Sequence, residues 1–184
     1  MTCAAARCSI LTMPRTFGAA LVVAAILLGG GVGVRADGNW APPDTVITMV
    51  RGGCERRCPV YRVVVFADGT VIVEGRHYLR KPVFARSEIL TGDVKKLVDR
   101  FLAIDYLHLR DDFGFKGKGC ASLGPGDAPT VTTTLVTGGQ GRSITHYHAC
   151  LGEIPNKIAE LERAIDETAH TDRWLTDALR GERR

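Results

Sequence analysis

Two valine-rich runs, Pro59 to Ala67 and Thr70 to about Tyr78, flank Asp68-Gly69. That dipeptide leaves the segment little choice but an antiparallel hairpin. A two-residue type I′ turn needs positive φ at both central positions, and Asp-Gly tolerates this better than most pairs. The register it predicts sets Ala67 opposite Thr70, Val65 opposite Ile72 and Val64 opposite Val73. Upstream, the β-branched stretch Thr45 to Arg51 reads as a first strand, joined to the hairpin by the loop Gly52 to Cys58. Residues 79–86 extend the third strand or add a short edge strand. Pro82 has no N–H to give a ladder and keeps them at an edge.

The period then changes. Val94, Leu97, Val98, Phe101 and Leu102 form one apolar stripe, while Lys95, Lys96, Asp99 and Arg100 face water. This predicts a helix over 91–104 with Thr91 as N-cap and Asp93 in the first turn. A Gly- and Asp-rich loop follows from Asp111 to Ala128. Val131 to Thr137 and Arg142 to His148 read as a second hairpin around Gly138-Gly139-Gln140-Gly141. Pairing Thr137 with Arg142 places Leu135 opposite Ile144, His146 opposite Thr133 and His148 opposite Val131. A last helix runs from near Pro155 to Ala169, with Ile158, Leu161 and Ile165 on one face. The order β-β-β-α-β-β-α predicts an α+β domain over residues 45–175: an antiparallel sheet of about five strands with two helices on one face. Residues 37–44 are a Pro-rich lead-in, and 176–184 a polar tail.

Charge narrows the function classes. The formal net charge is +4, but Arg7, Arg15 and Arg35 lie in the first 36 residues, which carry no acidic group. The remainder holds 21 basic against 20 acidic residues. Such a balance argues against a nucleic-acid binder, which concentrates basic charge. The first 36 residues have the layout of a secretory signal peptide cleaved near Ala36: a basic start, the uncharged run Thr16 to Val34, and small residues in Val34-Arg35-Ala36. An N-terminal membrane anchor is the alternative, although Gly29 to Gly31 and Gly33 break the apolar run.

Export gives the cysteines a meaning. Cys54, Cys58, Cys120 and Cys150 remain after the leader, and an even number in an exported chain reads as two disulfides. Four cysteines allow three connectivities. The bridges read here are a local clasp, Cys54 with Cys58, and a longer one, Cys120 with Cys150, closing about thirty residues.

Taken together, Cys54-x3-Cys58-Pro59-Val60-Tyr61, Asp68-Gly69-Thr70-Val71, Asp127-Ala128-Pro129-Thr130, His146-Tyr147, Leu161-Glu162, Ile165-Asp166 and Trp174 resemble a bacterial family, domain of unknown function 6438. The resemblance spans about residues 45–175. It implies an exported or envelope-associated domain and carries no reaction, substrate or cofactor.

No nucleotide loop, metalloprotease helix or nucleophile elbow is present in the sequence. The expectation is therefore a non-catalytic, cofactor-free module that binds an unknown protein or envelope component, with no nucleic acid and no membrane span once the leader is removed. Tyr61, Arg62, Arg76 and Tyr147 are the candidate binding surface, provided they share an exposed sheet face. The alternative is a copper-binding or thiol-redox accessory protein. The Cys54-x3-Cys58-Pro59 loop resembles that of Sco-type copper chaperones, and His146 or His148 would supply the distant imidazole. His146 and His148 share a strand face, and with His77 or Asp127 they have donor types suited to zinc or copper. Asp105, Asp111 and Asp112 lack the alternating oxygen ligands of a calcium loop.

Overall fold

The computed structural model describes residues 40–55, 58–79, 81–114, 119–124 and 126–179. The expected leader, 1–36, lies outside them, as do the lead-in before Trp40 and the end of the tail. Nine strands are present among the described residues: β1 (Val46–Arg51), β2 (Val60–Phe66), β3 (Thr70–His77), β4 (Val83–Glu88), β5 (Asp112–Phe113), β6 (Ser122–Leu123), β7 (Thr130–Thr137), β8 (Gln140–Tyr147) and β9 (Cys150–Leu151). The helices are α1 (Thr91–Ala103), α2 (Glu153–Thr168) and α3 (Asp172–Leu179). None is long and apolar enough to cross a membrane.

Seven strands make one sheet in the order β4-β3-β2-β1-β7-β8-β5, and β6 pairs with β9 separately. The β1 strand is central, antiparallel to β2 on one side and β7 on the other, so it joins the two hairpin units. Only β5 is parallel to its neighbour, β8. Alternation does the rest. Ile47, Met49, Val63, Val65, Val71, Val73, Val131, Leu135 and Ile144 are buried on one face. Val94, Leu97, Val98 and Phe101 from α1 and Ile158, Leu161 and Ile165 from α2 complete that core. The fold is thus α+β, with a mostly antiparallel sheet.

Both hairpin registers differ from expectation. In the first, Val65 pairs with Val71, Val64 with Ile72 and Val63 with Val73. The loop is one residue longer because Gly69 takes φ +88° and returns its N–H to the Phe66 carbonyl at 3.0 Å. That is the bulged three-residue turn, and the one-residue slip brings Val71 and Val73, not Ile72, to the core. Gly69 is needed twice over. Its carbonyl accepts from Ile89 N at 2.9 Å, and a Cβ there would stand 2.2 Å from the Ile89 oxygen.

In the second hairpin Gly138 and Gly139 both have positive φ and form a two-residue turn, so Thr137 pairs with Gln140, Leu135 with Arg142 and Thr133 with Ile144. His146 therefore stands opposite Val131. The shift from the expected pairing is two residues, an even number, so every side chain keeps its face. Asp44 caps this turn, accepting from Gly138 N at 2.9 Å and Gly139 N at 2.6 Å.

The helices also depart in detail. The α1 cap is Leu90, with no side-chain hydrogen bond, so Thr91 is the first helical residue and not the cap. Leu102, placed in the buried stripe, is 49% exposed, because at i+8 it falls on the edge of the face that Val94 centres. The α2 helix starts two residues early, with Pro155 inside its first turn, where a missing N–H costs nothing. The α3 helix was not expected. The 111–128 stretch, read as loop, supplies β5 and β6.

Candidate functional site

One row crosses the sheet beneath α2. Tyr61 on β2 pairs with Arg51 on β1, Arg51 with Val131 on β7, and Val131 with His146 on β8. All four residues face the helices, since each lies in phase with the buried alternation of its strand. His148 follows two residues after His146, and the two rings lie 5.2 Å apart.

The helix answers this row with two carboxylates one turn apart, Glu162 and Asp166. Glu162 is fully buried. Its Oε1 lies 3.0 Å from His146 Nδ1, and its Oε2 makes a short contact with His148 Nε2. Asp166 accepts from the Tyr61 hydroxyl at 2.9 and 2.8 Å, from Arg51 Nη2 at 3.1 Å and from Thr171 Oγ1 at 2.9 Å. Arg51 Nε donates to the Tyr61 oxygen at 2.9 Å, and its Nη1 is 3.4 Å from His148 Nε2. Seven side chains from β1, β2, β8, α2 and the turns after β8 and α2 are thereby linked into one polar seam.

Electrostatics follow from that seam. Burial pushes the Glu162 carboxyl up, but the hydrogen bonds and charge of His146 and His148 outweigh it and hold it below its ordinary range. Burial raises the Tyr61 phenol, and Asp166 beside it adds to the effect. Burial works against the Arg51 charge, yet the Tyr61 oxygen and Asp166 favour it more. One buried polar atom in the seam has no hydrogen-bond partner: His146 Nε2, on a ring that is 1% exposed. His146, His148 and Glu162 present donor atoms within 4.8 Å of one another.

The other expected site residues fall as follows. Cys54 is joined to Cys58, and Cys120 to Cys150, with Cα atoms 5.2 and 5.1 Å apart. Cys54 and Cys58 are therefore not a free thiolate pair here. His77 and Asp127 stand outside the His146–His148–Glu162 group. Tyr61, Arg62, Arg76 and Tyr147 do not form one surface. Tyr61 and Tyr147 are buried, and Tyr61 and Arg62, being consecutive in a strand, point to opposite faces. Sequence reading missed Glu162, although it carried a signal. Glu162 sits four residues after Ile158 on the apolar stripe of α2, where a carboxylate needs a partner.

A second feature lies at the free edge of the sheet. A groove of about 590 Å³ runs around β4 and is lined by Lys81, Phe84, Arg86, Arg173 and Trp174, with no carboxylate in its wall among the described residues. Phe84 is 74% exposed.

One protein-family model, described as a domain of unknown function (DUF6438), matches residues 45–169. No curated protein matches the chain.

Proposed function

The chain belongs to the DUF6438 family, and on that premise we propose that it is an exported, non-catalytic module that binds an acidic, extended segment of a partner protein along the outer edge of β4. The observation that carries this reading is the groove. An edge strand offers unpaired backbone donors and acceptors, which is how an added strand is held. Among the described residues, three cations and no carboxylate line this groove, Glu88 at the far end of β4 lying outside it. Lys81 and Arg173 have no ion-pair partner among the described residues, while Arg86 senses Asp68. Phe84 and Trp174 supply the apolar contact that such sites use as anchors.

Export is supported by the two disulfides, which persist in oxidising compartments, and by the leader pattern of residues 1–36. The intact mass of exported protein is expected to begin at Asp37; a mass retaining the segment after Met1 or Met13 refutes cleavage. The copper alternative needs Cys54 and Cys58 as thiolates, and the closed bond between them weighs against it, whereas a thiol-redox role would alternate between thiols and that bond. Free-thiol counting on denatured, unreduced protein decides this: two titratable thiols favour the alternative.

Binding is tested with a short fluorescein-labelled peptide alternating Glu and Val, against its Lys/Val counterpart. The acidic peptide is expected to bind in a salt-sensitive way, to slow hydrogen exchange in β4, and to be lost with Arg86→Glu/Arg173→Glu. Equal binding of the two peptides, or indifference to the double substitution, overturns the reading.

A further inference from the structure

We propose that His146, His148 and Glu162 form a binding site for one zinc-like divalent cation, held by one ring nitrogen of each histidine and by the Glu162 carboxylate between them. The inference is independent of partner binding at β4.

The donor set is the first argument. Two imidazoles and a carboxylate are ligands of the kind zinc takes in three-residue sites, the fourth position being left to water. Donors around tetrahedral zinc stand roughly 3–3.5 Å apart, given bonds of about 2.0–2.2 Å. His146 Nδ1 and Glu162 Oε1 already meet this at 3.0 Å, and the whole donor set lies within 4.8 Å. A strand presents the two histidines at i and i+2 on one face, and a helix turn lowers the carboxylate between them. Each Glu162 oxygen addresses a different ring.

Charge is the second. Besides the two histidines, the seam holds one cation, Arg51, against two carboxylates, Glu162 and Asp166. One negative charge is left over where water has little access, and such charge demands a counterpart. A bound cation meets the demand directly.

Access is the third. The His146 and Glu162 side chains are 1% and 0% exposed, whereas His148 is 27% exposed. Solvent therefore reaches the cluster from the His148 side, where a water or small anion completes the coordination.

Arg51 opposes the ion. Its Nη1 stands 3.4 Å from His148 Nε2, the longest of its own side-chain contacts in the seam, while Tyr61 and Asp166 hold its other nitrogens. A like charge at that distance weakens cation binding, which makes Arg51 a discriminating position.

The test uses the exported protein as purified, stripped with a chelator and titrated with Zn²⁺ and with Co²⁺ as spectroscopic probe. Expected are one ion per chain, proton release on binding, the intense visible absorption of four-coordinate Co²⁺, and a rise in the melting temperature with Zn²⁺. His148→Ala, at the exposed edge, should weaken Zn²⁺ at least about tenfold, as should Glu162→Gln. The surface variant His108→Ala should change nothing. Arg51→Met should tighten Zn²⁺ by about tenfold, an effect that a purely structural polar seam does not produce. Absence of stoichiometric Zn²⁺ and Co²⁺ binding by folded wild-type protein overturns the site, as does binding unaltered in both His148→Ala and Glu162→Gln. The wild-type titrations decide the matter even if a variant fails to fold.

Discussion

The Tyr61 hydroxyl meets both oxygens of Asp166, at 2.9 and 2.8 Å, and so ties the second strand to the second helix across 105 residues of chain. Arg51 reaches the same two groups from the neighbouring strand. The helix is thus fastened to the sheet by directional bonds as well as by the apolar stripe of Ile158, Leu161 and Ile165. Apolar packing tolerates sliding; a shared carboxylate does not.

Tyr61→Phe keeps the ring in its buried place and removes only the hydroxyl. It should destabilise the domain by about 1–3 kcal/mol, since Asp166 and Arg51 each lose a buried partner. Chemical denaturation of the two proteins measures this. A change within about 0.5 kcal/mol, the usual range for surface substitutions, would mean that the seam is not tight in solution.

The Glu162 carboxyl is held below its ordinary value of 4.5 in the folded chain. A lowered folded pKa stabilises the fold above the ordinary value and loses that contribution as pH falls through the folded one. Wild-type stability should therefore drop on acidification from about pH 5 downward more steeply than that of Glu162→Gln. Urea midpoints across that range are the measurement, and parallel curves would refute the assignment. At neutral pH Glu162→Ala, which strips both histidines of their partner, should cost about 3–5 kcal/mol.

Gly69 carries the turn that sets the first register. Gly69→Ala forces a side chain into φ +88° and against the Ile89 oxygen. Backbone strain of this kind costs on the order of 1–3 kcal/mol before the clash is added. The loss should be larger than for Gly139→Ala, whose Cβ would meet open space. Thermal melts of the two variants give the comparison, and equal effects would argue against the bulged turn.

On α1, Phe101 is wholly buried and stacks edge-on against Tyr106 at 4.7 Å, whereas Leu102 is half exposed. Phe101→Ala should cost about 3–5 kcal/mol, and Leu102→Ala well under half of that. Similar losses at the two positions would put Leu102 back in the core.

Local pattern was enough for the architecture. Alternation and period marked out the two hairpins, α1 and α2, and the loop positions of the cysteines pointed to the Cys54–Cys58 and Cys120–Cys150 bridges. These are short-range properties, set by side-chain direction and by which residues accept positive φ. Registers were harder, because one residue of turn geometry moves every partner, and Asp68-Gly69 fits both a two-residue and a three-residue loop. The site was half legible. His146 and His148 declared themselves by sharing a strand face, whereas Glu162, despite its place on an apolar stripe, was not read as a site residue. Nothing local joined them to Arg51, Tyr61 and Asp166. That union depends on β1 inserting between β2 and β7 and on α2 settling over the resulting row, which are pairings between segments far apart in sequence. Tertiary packing decided them, because only there does burial strip the water from these charges and oblige them to find one another.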